Sequence, residues 1–249
     1  MTVTSQMTTR HPAGTQHGAA RSLPVVAGIG YSVAWIISLL VGAPNPSVAA
    51  RGSQVVAAFA GHRGPAVAMF VLAEGVAAAA LAVVVIAAAR AARRSGARLA
   101  GLTGASFGIA AAVVSWAELA LGTWLVYGPV AGRRTASAET AYQVLMRLDG
   151  AKMFLLAAMA VALSVVALSV VALSVGALSV GALTSPVLPR WLAPLGVALA
   201  VSLAVSGLGY VLLVPGLAAA VYVSGTLLLA FVTSTGVTLG VARPNPRRP

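Results

Sequence analysis

The sequence predicts an all-α polytopic membrane protein, built as a bundle of six transmembrane helices. Hydrophobic residues make up 59% of its 249 residues and charged residues only 8%, whereas ordinary soluble domains have about 45–50% and about 25%. A soluble globule of this size could not cover so much apolar surface with 16 basic and 4 acidic side chains. The apolar runs are continuous and do not alternate with polar residues, which favours transmembrane helices over a β-barrel.

Six apolar runs are each long enough to cross the hydrocarbon core, which takes about 20 residues of helix. They cover residues 25–43, 66–89, 99–131, 153–184, 195–214 and 217–241. We therefore predict a flexible cytoplasmic tail at 1–23, a transmembrane domain at 24–242 and a basic cytoplasmic tail at 243–249. A signal peptide is the alternative for the first run, but this run is about twice as long as a typical signal-peptide core.

The distribution of Arg and Lys between the runs predicts that both termini lie inside, an N-in/C-in topology. Basic residues collect in cytoplasmic loops, and with the N-terminus inside, the inner segments carry ten basic residues and the outer segments six. The inner residues are Arg10, Arg21, Arg90, Arg93, Arg94, Arg98, Arg190, Arg243, Arg247 and Arg248. The outer residues are Arg51, Arg63, Arg133, Arg134, Arg147 and Lys152.

Two polar connections are predicted to carry local structure. In residues 44–65, four apolar side chains could form a short surface helix: Val48, Val55, Val56 and Phe59. In residues 132–150, three apolar side chains recur at helical spacing: Ala141, Leu145 and Leu148. Asp149 comes shortly before the fourth run and is predicted to be its N-cap, with Arg147 and Lys152 as candidate partners.

The fourth run contains a five-residue repeat, ALSVV ALSVV ALSVG ALSVG. At about 100° per residue, each repeat advances the same side chain by about 140° around a helix. The repeated serines therefore form no polar stripe, and we interpret the repeat as a gene-level expansion. The run would reach about 48 Å, against a hydrocarbon core of about 30 Å. Its helix must therefore tilt, protrude or end before Gly181.

Two carboxylates, Glu74 and Glu118, lie within the apolar runs. A charge at mid-membrane costs at least about 2.5–3.5 kcal/mol, so each requires a compensating contact. Glu118 belongs to a stripe of mostly small residues at helical spacing: Gly104, Gly108, Ala111, Ser115, Glu118 and Gly122. Because membrane helices pack closely along such stripes, we expect Glu118 to face protein, with Ser115 near enough to share a hydrogen bond.

Glu74 and Glu118 are predicted to lie at one depth. Glu74 precedes Arg90 by 16 residues and Glu118 follows Leu99 by 19, which places both about 24–29 Å along antiparallel helices from the inner surface. Several arrangements stay open: a shared proton, a link to Arg or Lys at the outer rim, or a link to Tyr and Trp groups. Three roles also stay open: a structural pair of protonated hydrogen-bond donors, which we favour, a proton or cation pathway, and a ligand site.

Several classes of chemistry are excluded or not expected. The chain has no Cys, and its three His lie outside the apolar runs, which excludes a thiolate site and an intramembrane His-based metal or haem site. No hydrolase, zinc-protease or nucleotide-binding motif occurs in it. We expect no catalytic residues, metal, cofactor or nucleic-acid partner. We expect the lipid bilayer to surround the protein. Whether it forms a homo-oligomer or binds another membrane protein stays open.

Three segments carry a family resemblance: RGSQVVAAFAGHRGP before the second run, AYQVLMRLDGAKMFLLA entering the fourth, and PRWLAPLGVALAVSLAVSGLGY through the fifth. They resemble an uncharacterised family of actinobacterial integral membrane proteins, similar to the DUF4386-type hydrophobic proteins. The resemblance implies a six-helix bundle in the bacterial plasma membrane and supplies no activity or site residues. We expect a non-catalytic membrane component; the alternative is a small transporter or proton-linked permease that uses Glu74 and Glu118.

Overall fold

The computed structural model describes residues 16–176 and 188–241, and over these residues it confirms the predicted all-α fold. They form helices and connecting turns, with no strand among them. Six segments are long and apolar enough to cross a membrane, and we call them spans 1 to 6. In chain order the spans are Ser22–Leu40, Arg63–Arg93, Arg98–Val130, Thr135–Leu168, Leu192–Val211 and Pro215–Val241.

Each span consists of one helix or of consecutive helical segments. The helices are α1 (Gln16–Leu40), α2 (Gly52–Ala60), α3 (Arg63–Phe70), α4 (Ala77–Arg94), α5 (Arg98–Leu125), α6 (Thr135–Gly176), α7 (Leu192–Val211), α8 (Pro215–Ala218) and α9 (Val221–Val241). A π-helical turn, Val71–Val76, joins α3 to α4, and a second one, Val126–Val130, follows α5. We call the side of the bundle that carries residues 41–62, 131–134 and 212–220 the loop side.

The helices pack into one bundle with an apolar outer surface. Helix α6 packs against α5 and α7, while α1 packs against α9 and α4. Every span leaves apolar side chains exposed on its outer face, for example Val26, Val71, Val113, Val161, Val201 and Val223. Such a continuous apolar surface is costly in water and is what a helix in contact with lipid requires.

The loop side carries a second, smaller hydrophobic cluster that caps the bundle. The predicted short helix forms as α2, although it begins after Val48, and it buries Val55 and Phe59 against the first turns of α6. The hydroxyl of Tyr142 donates a hydrogen bond to the carbonyl of Pro46 at 2.7 Å, and the N–H of Gly52 donates to the Glu139 carboxylate at 2.8 Å. The connection 41–51 is therefore held against α6.

Two helices begin earlier than the sequence predicts. Helix α1 begins at Gln16, so residues 16–23, predicted as tail, are helical, and residues 1–15 lie outside the described part of the chain. Helix α6 begins at Thr135 because the apolar spacing that includes Ala141 and Leu145 continues without a break into the fourth run.

The early start of α6 overturns the prediction that Asp149 is an N-cap, since this residue lies in the middle of a 42-residue helix. That helix is about 63 Å long at 1.5 Å per residue, so it exceeds the hydrocarbon core even though it is described only as far as Gly176. Within the repeat, the Ser164 hydroxyl donates to the carbonyl of Ala160 at 2.7 Å. The side chains of Ser169 and Ser174, and all of residue 179, lie outside the described part.

Helices α1 and α9 approach each other backbone to backbone. A Cβ atom placed on Gly236 would lie 2.5 Å from the carbonyl oxygen of Pro24 and 2.9 Å from the Cα of Gly28. Beside this contact, the hydroxyls of Ser32 and Thr233 are hydrogen-bonded at 2.6 Å. Glycine at position 236 is therefore what allows span 1 to pack on span 6, as small residues do elsewhere in membrane proteins.

We predict that Gly236→Ala lowers the thermal unfolding temperature of the purified protein in detergent. The added methyl group would push α1 from α9, and overpacking of this kind costs about 1–3 kcal/mol. The matched control is Gly225→Ala on the same helix, where an added Cβ would meet nothing within 4 Å. Equal unfolding temperatures for the two variants would show that the close contact between α1 and α9 does not form.

Candidate functional site

The side chain of Lys152 lies inside the bundle and pairs with three carboxylates. Its Nζ atom is 2.5 Å from Oε2 of Glu118, 2.8 Å from Oε2 of Glu74 and 2.8 Å from Oδ1 of Asp149. Only 6% of Lys152 and 2% of Glu118 is exposed. We call these four residues the carboxylate cluster; they join span 2, α5 and α6.

The π-helical turn Val71–Val76 places Glu74 in the cluster. A π-helical turn holds one more residue than an α-helical turn, so it rotates the side chains that follow it, and such turns recur at functional sites. The turn is supported from α5, where the indole N–H of Trp116 donates to the carbonyl of Gly75 at 3.4 Å. Local helix geometry and the neighbouring helix together set the direction of Glu74.

Glu118 is positioned by the stripe of mostly small residues on α5. All six members of the predicted stripe are buried, so Glu118 faces protein as expected. A Cβ atom on Gly108 would lie 2.7 Å from Val85, and one on Gly122 would lie 2.7 Å from the ring of Phe70. Because these glycines have no side chains, α5 packs close enough to span 2 for the carboxylates of Glu118 and Glu74 to meet.

Asp149 and Lys152 share one face of α6 because they are three residues apart. Between them, Gly150 packs against α7, where an added Cβ would lie 2.8 Å from the carbonyl oxygen of Gly207. The cluster is therefore enclosed by α7 behind α6 and by α5 and span 2 in front.

The cluster contains more acidic than basic groups. Three carboxylates surround a single ammonium group, whose three N–H donors are matched by the three acceptors. The second carboxylate oxygen of Glu118, Oε1, is buried and has no hydrogen-bond partner among the described residues. Burying uncompensated charge costs several kcal/mol per ion. The arrangement therefore has the capacity to take up a proton or a further cation.

A cavity of about 300 Å³ lies on the loop side of the cluster. We call Glu74, Glu118 and Asp149 its floor, and residues 45–48 and Pro215, on the loop side, also line it. Aromatic and apolar side chains form much of the wall, among them Trp35, Leu39, Phe70, Leu145, Tyr210 and Tyr222. One cavity is thus lined both by three acidic side chains and by loop-side residues.

A second, much smaller cavity of about 30 Å³ lies deeper in the bundle. Lys152, Glu74 and Ser115 line it together with Tyr31 and Trp35. Its volume suits one water molecule, and Lys152, Glu74 and Ser115 offer polar partners in an otherwise largely apolar wall. Two cavities therefore adjoin the carboxylate cluster.

The three carboxylates are also close enough together to act as metal ligands, with one oxygen from each lying within 4.8 Å of the others. Oxygen ligands of this kind suit Mg²⁺ or Ca²⁺. The ammonium group of Lys152, however, lies within 2.8 Å of all three carboxylates. It occupies the position that a metal ion would need, so the geometry fits an ion-pair cluster better than a metal centre.

The structure brings together the two carboxylates that the sequence singles out, and it links both to a lysine. Glu74 also lies within hydrogen-bonding distance of Ser115 and of Glu118. The sequence analysis did not identify Asp149 and Lys152 as site residues. The two are three residues apart, a spacing that places side chains on one face of a helix and could have indicated them. The other candidate partner, Arg147, is exposed on α6 and outside the cluster.

Comparisons with protein-family models, curated proteins and solved structures find no match to this chain. The resemblance to DUF4386-type proteins therefore stays a prediction. What can be said of the site comes from its own residues.

We predict that Lys152→Met strongly destabilises the protein, because it leaves the buried Glu118 and the partly buried Glu74 and Asp149 without their cation. Removing one partner of a buried ion pair typically costs about 3–5 kcal/mol. Thermal unfolding in detergent measures the loss, with Arg147→Met, an exposed position on the same helix, as the matched control. Adding Glu118→Gln to Lys152→Met should restore part of the stability by removing one unpaired charge. A Lys152→Met variant as stable as the control would mean that the ion pairs do not form.

Proposed function

We propose that this chain is a small proton-linked transporter, in which the carboxylate cluster binds and releases the coupling proton. One observation carries the proposal: an ion-pair cluster with excess carboxylates forms the floor of a cavity that is open on the loop side. Ionisable residues inside a membrane commonly mark proton or substrate pathways. A cluster that only held helices together would need neither the excess charge nor the open cavity.

The cluster offers a direct way to couple protonation to helix packing. A proton on Glu118 weakens its ion pair with Lys152, and that pair links α5 to α6. Lys152 then keeps its contacts with Glu74 and Asp149, so its charge stays compensated. Because protonation changes the attraction between two helices, it can shift the balance between two arrangements of the bundle, as alternating access requires.

The second candidate function is a non-catalytic membrane component. It is favoured by a different observation, that Lys152 contacts carboxylates from span 2, α5 and α6 and is almost fully buried. On that reading the cluster stabilises the bundle and its protons never exchange. The two candidates differ in what the amide variants of the glutamates should do.

Proton flux in reconstituted vesicles tests the proposal. Vesicles that contain the wild-type chain and a pH-sensitive dye should change internal pH when a membrane potential is imposed. Glu118→Gln should reduce this flux to about that of empty vesicles, because an amide cannot carry a proton, while the thermal unfolding temperature changes little. The matched control is Glu139→Gln, an acidic residue outside the cluster whose amide oxygen can still accept from Gly52.

Two results would contradict the transporter. One is that wild-type vesicles show no more flux than empty ones, and the other is that Glu118→Gln carries protons as fast as wild type. A large loss of stability in Glu118→Gln, with wild-type flux absent, would instead favour the non-catalytic component.

We further propose that the protein lies in the bacterial plasma membrane with both termini inside, which places the loop side and its cavity outside. The Arg and Lys distribution supports this orientation, and the chain contains no native Cys to interfere with labelling. We predict that Ser137→Cys reacts with a membrane-impermeant thiol reagent in intact cells, and that Ser95→Cys reacts only after permeabilisation. The reverse pattern would invert the topology.

A further inference from the structure

We propose that the cavity above the carboxylate cluster binds a small organic cation, an amine or quaternary ammonium compound with an apolar group attached. The inference rests on the proposed transport function and names its substrate class. Charge, wall chemistry and volume each point to this class.

The charge of the cavity selects for a cation. Three of its lining residues are acidic, and none of the lining residues described in the structure is basic. Lys152 compensates only one of the three carboxylates when all are ionised. An anion in the cavity would add to the excess negative charge in a low-dielectric surrounding, whereas a cation would reduce it.

A buried oxygen atom indicates where the charged end of the ligand binds. Oε1 of Glu118 has no hydrogen-bond partner among the described residues, although Glu118 is only 2% exposed and lines the cavity. A carboxylate oxygen without a partner in such a place is costly, and a positive charge nearby would reduce the cost. The ligand's cationic head is therefore expected at the Glu118 part of the cavity floor.

The wall of the cavity fits the rest of such a ligand. Trp35, Phe70, Tyr210 and Tyr222 all line it, and the faces of aromatic rings attract organic cations, most strongly quaternary ammonium groups. Met69 and Met146 add flexible apolar surface. A volume of about 300 Å³ suits one aromatic ring joined to a compact ammonium head.

Competition with the proton follows from the shared site. A bound organic cation and a bound proton would compensate the same excess charge on Glu74, Glu118 and Asp149, so each is expected to displace the other. Low pH should therefore weaken binding of the organic cation.

A pair of isosteric probes tests the inference on the purified full-length chain in detergent. Benzyltrimethylammonium carries a permanent positive charge, and neopentylbenzene has the same shape without charge. We expect calorimetry to show binding of the cation at least about tenfold tighter than binding of the neutral compound, and weaker binding at low pH, because protons compete. Equal affinities for the two probes would overturn the inference.

Two variants locate the site. Glu118→Gln should weaken binding of benzyltrimethylammonium by about tenfold, while the control Glu139→Gln binds as wild type does. Tyr222 lines the cavity and is 76% exposed, so Tyr222→Leu poses little risk to folding. This variant should weaken cation binding by about threefold, because it removes one aromatic face. Unchanged affinity in both Glu118→Gln and Tyr222→Leu would place the cation elsewhere and contradict the proposal.

The binding test and the flux test fail separately. Selective cation binding without proton flux, when benzyltrimethylammonium is supplied outside the vesicles, would retain the cation site and refute proton-linked transport. Proton flux with no preference for the charged probe would retain the transporter and refute the substrate class.

Discussion

The ammonium group of Lys152 is the interaction on which the rest of the site depends. In a low-dielectric interior, charges attract each other strongly but lose their hydration, so a buried ion pair persists only when its hydrogen bonds are well matched. Lys152 meets this condition through contacts with Glu74, Glu118 and Asp149, each at 2.8 Å or less. Because these carboxylates come from three segments, one side chain sets the relative depth of span 2, α5 and α6.

The small residues around the cluster make that arrangement sterically feasible. Gly108 and Gly122 let α5 approach Val85 and Phe70, and Gly150 lets α6 approach α7. Larger side chains at these positions would collide with the neighbouring helices and push them apart. The close packing at the glycines and the buried ion pairs therefore depend on each other. The packing brings the charges together, and the ion pairs offset the cost of burying those charges.

The loop-side cap gives the cluster its one-sided access. Helix α2 and the first turns of α6 share a hydrophobic cluster of their own, and the bond from Tyr142 to Pro46 holds the intervening connection in place. That connection forms part of the cavity wall, whose floor is acidic and whose sides are largely aromatic and apolar. A wall that is held in place over an acidic floor is suited to binding a ligand, and a second, smaller cavity lined in part by Lys152 adjoins the cluster.

The sequence by itself determined the all-α fold, the six spans and the two intramembrane glutamates, because lipid requires long apolar helices and makes every charge within them conspicuous. It also predicted that Glu118 faces protein, since the stripe of mostly small residues follows from helical spacing alone. Only the tertiary structure decided that α6 begins at Thr135, that Asp149 is internal to it, and that Lys152 turns inward. A lysine near the end of an apolar run can as easily extend to the interface, and its inward position depends on carboxylates brought to it by the neighbouring helices. Helical periodicity determines which side chains share a face, whereas packing between helices determines which faces meet.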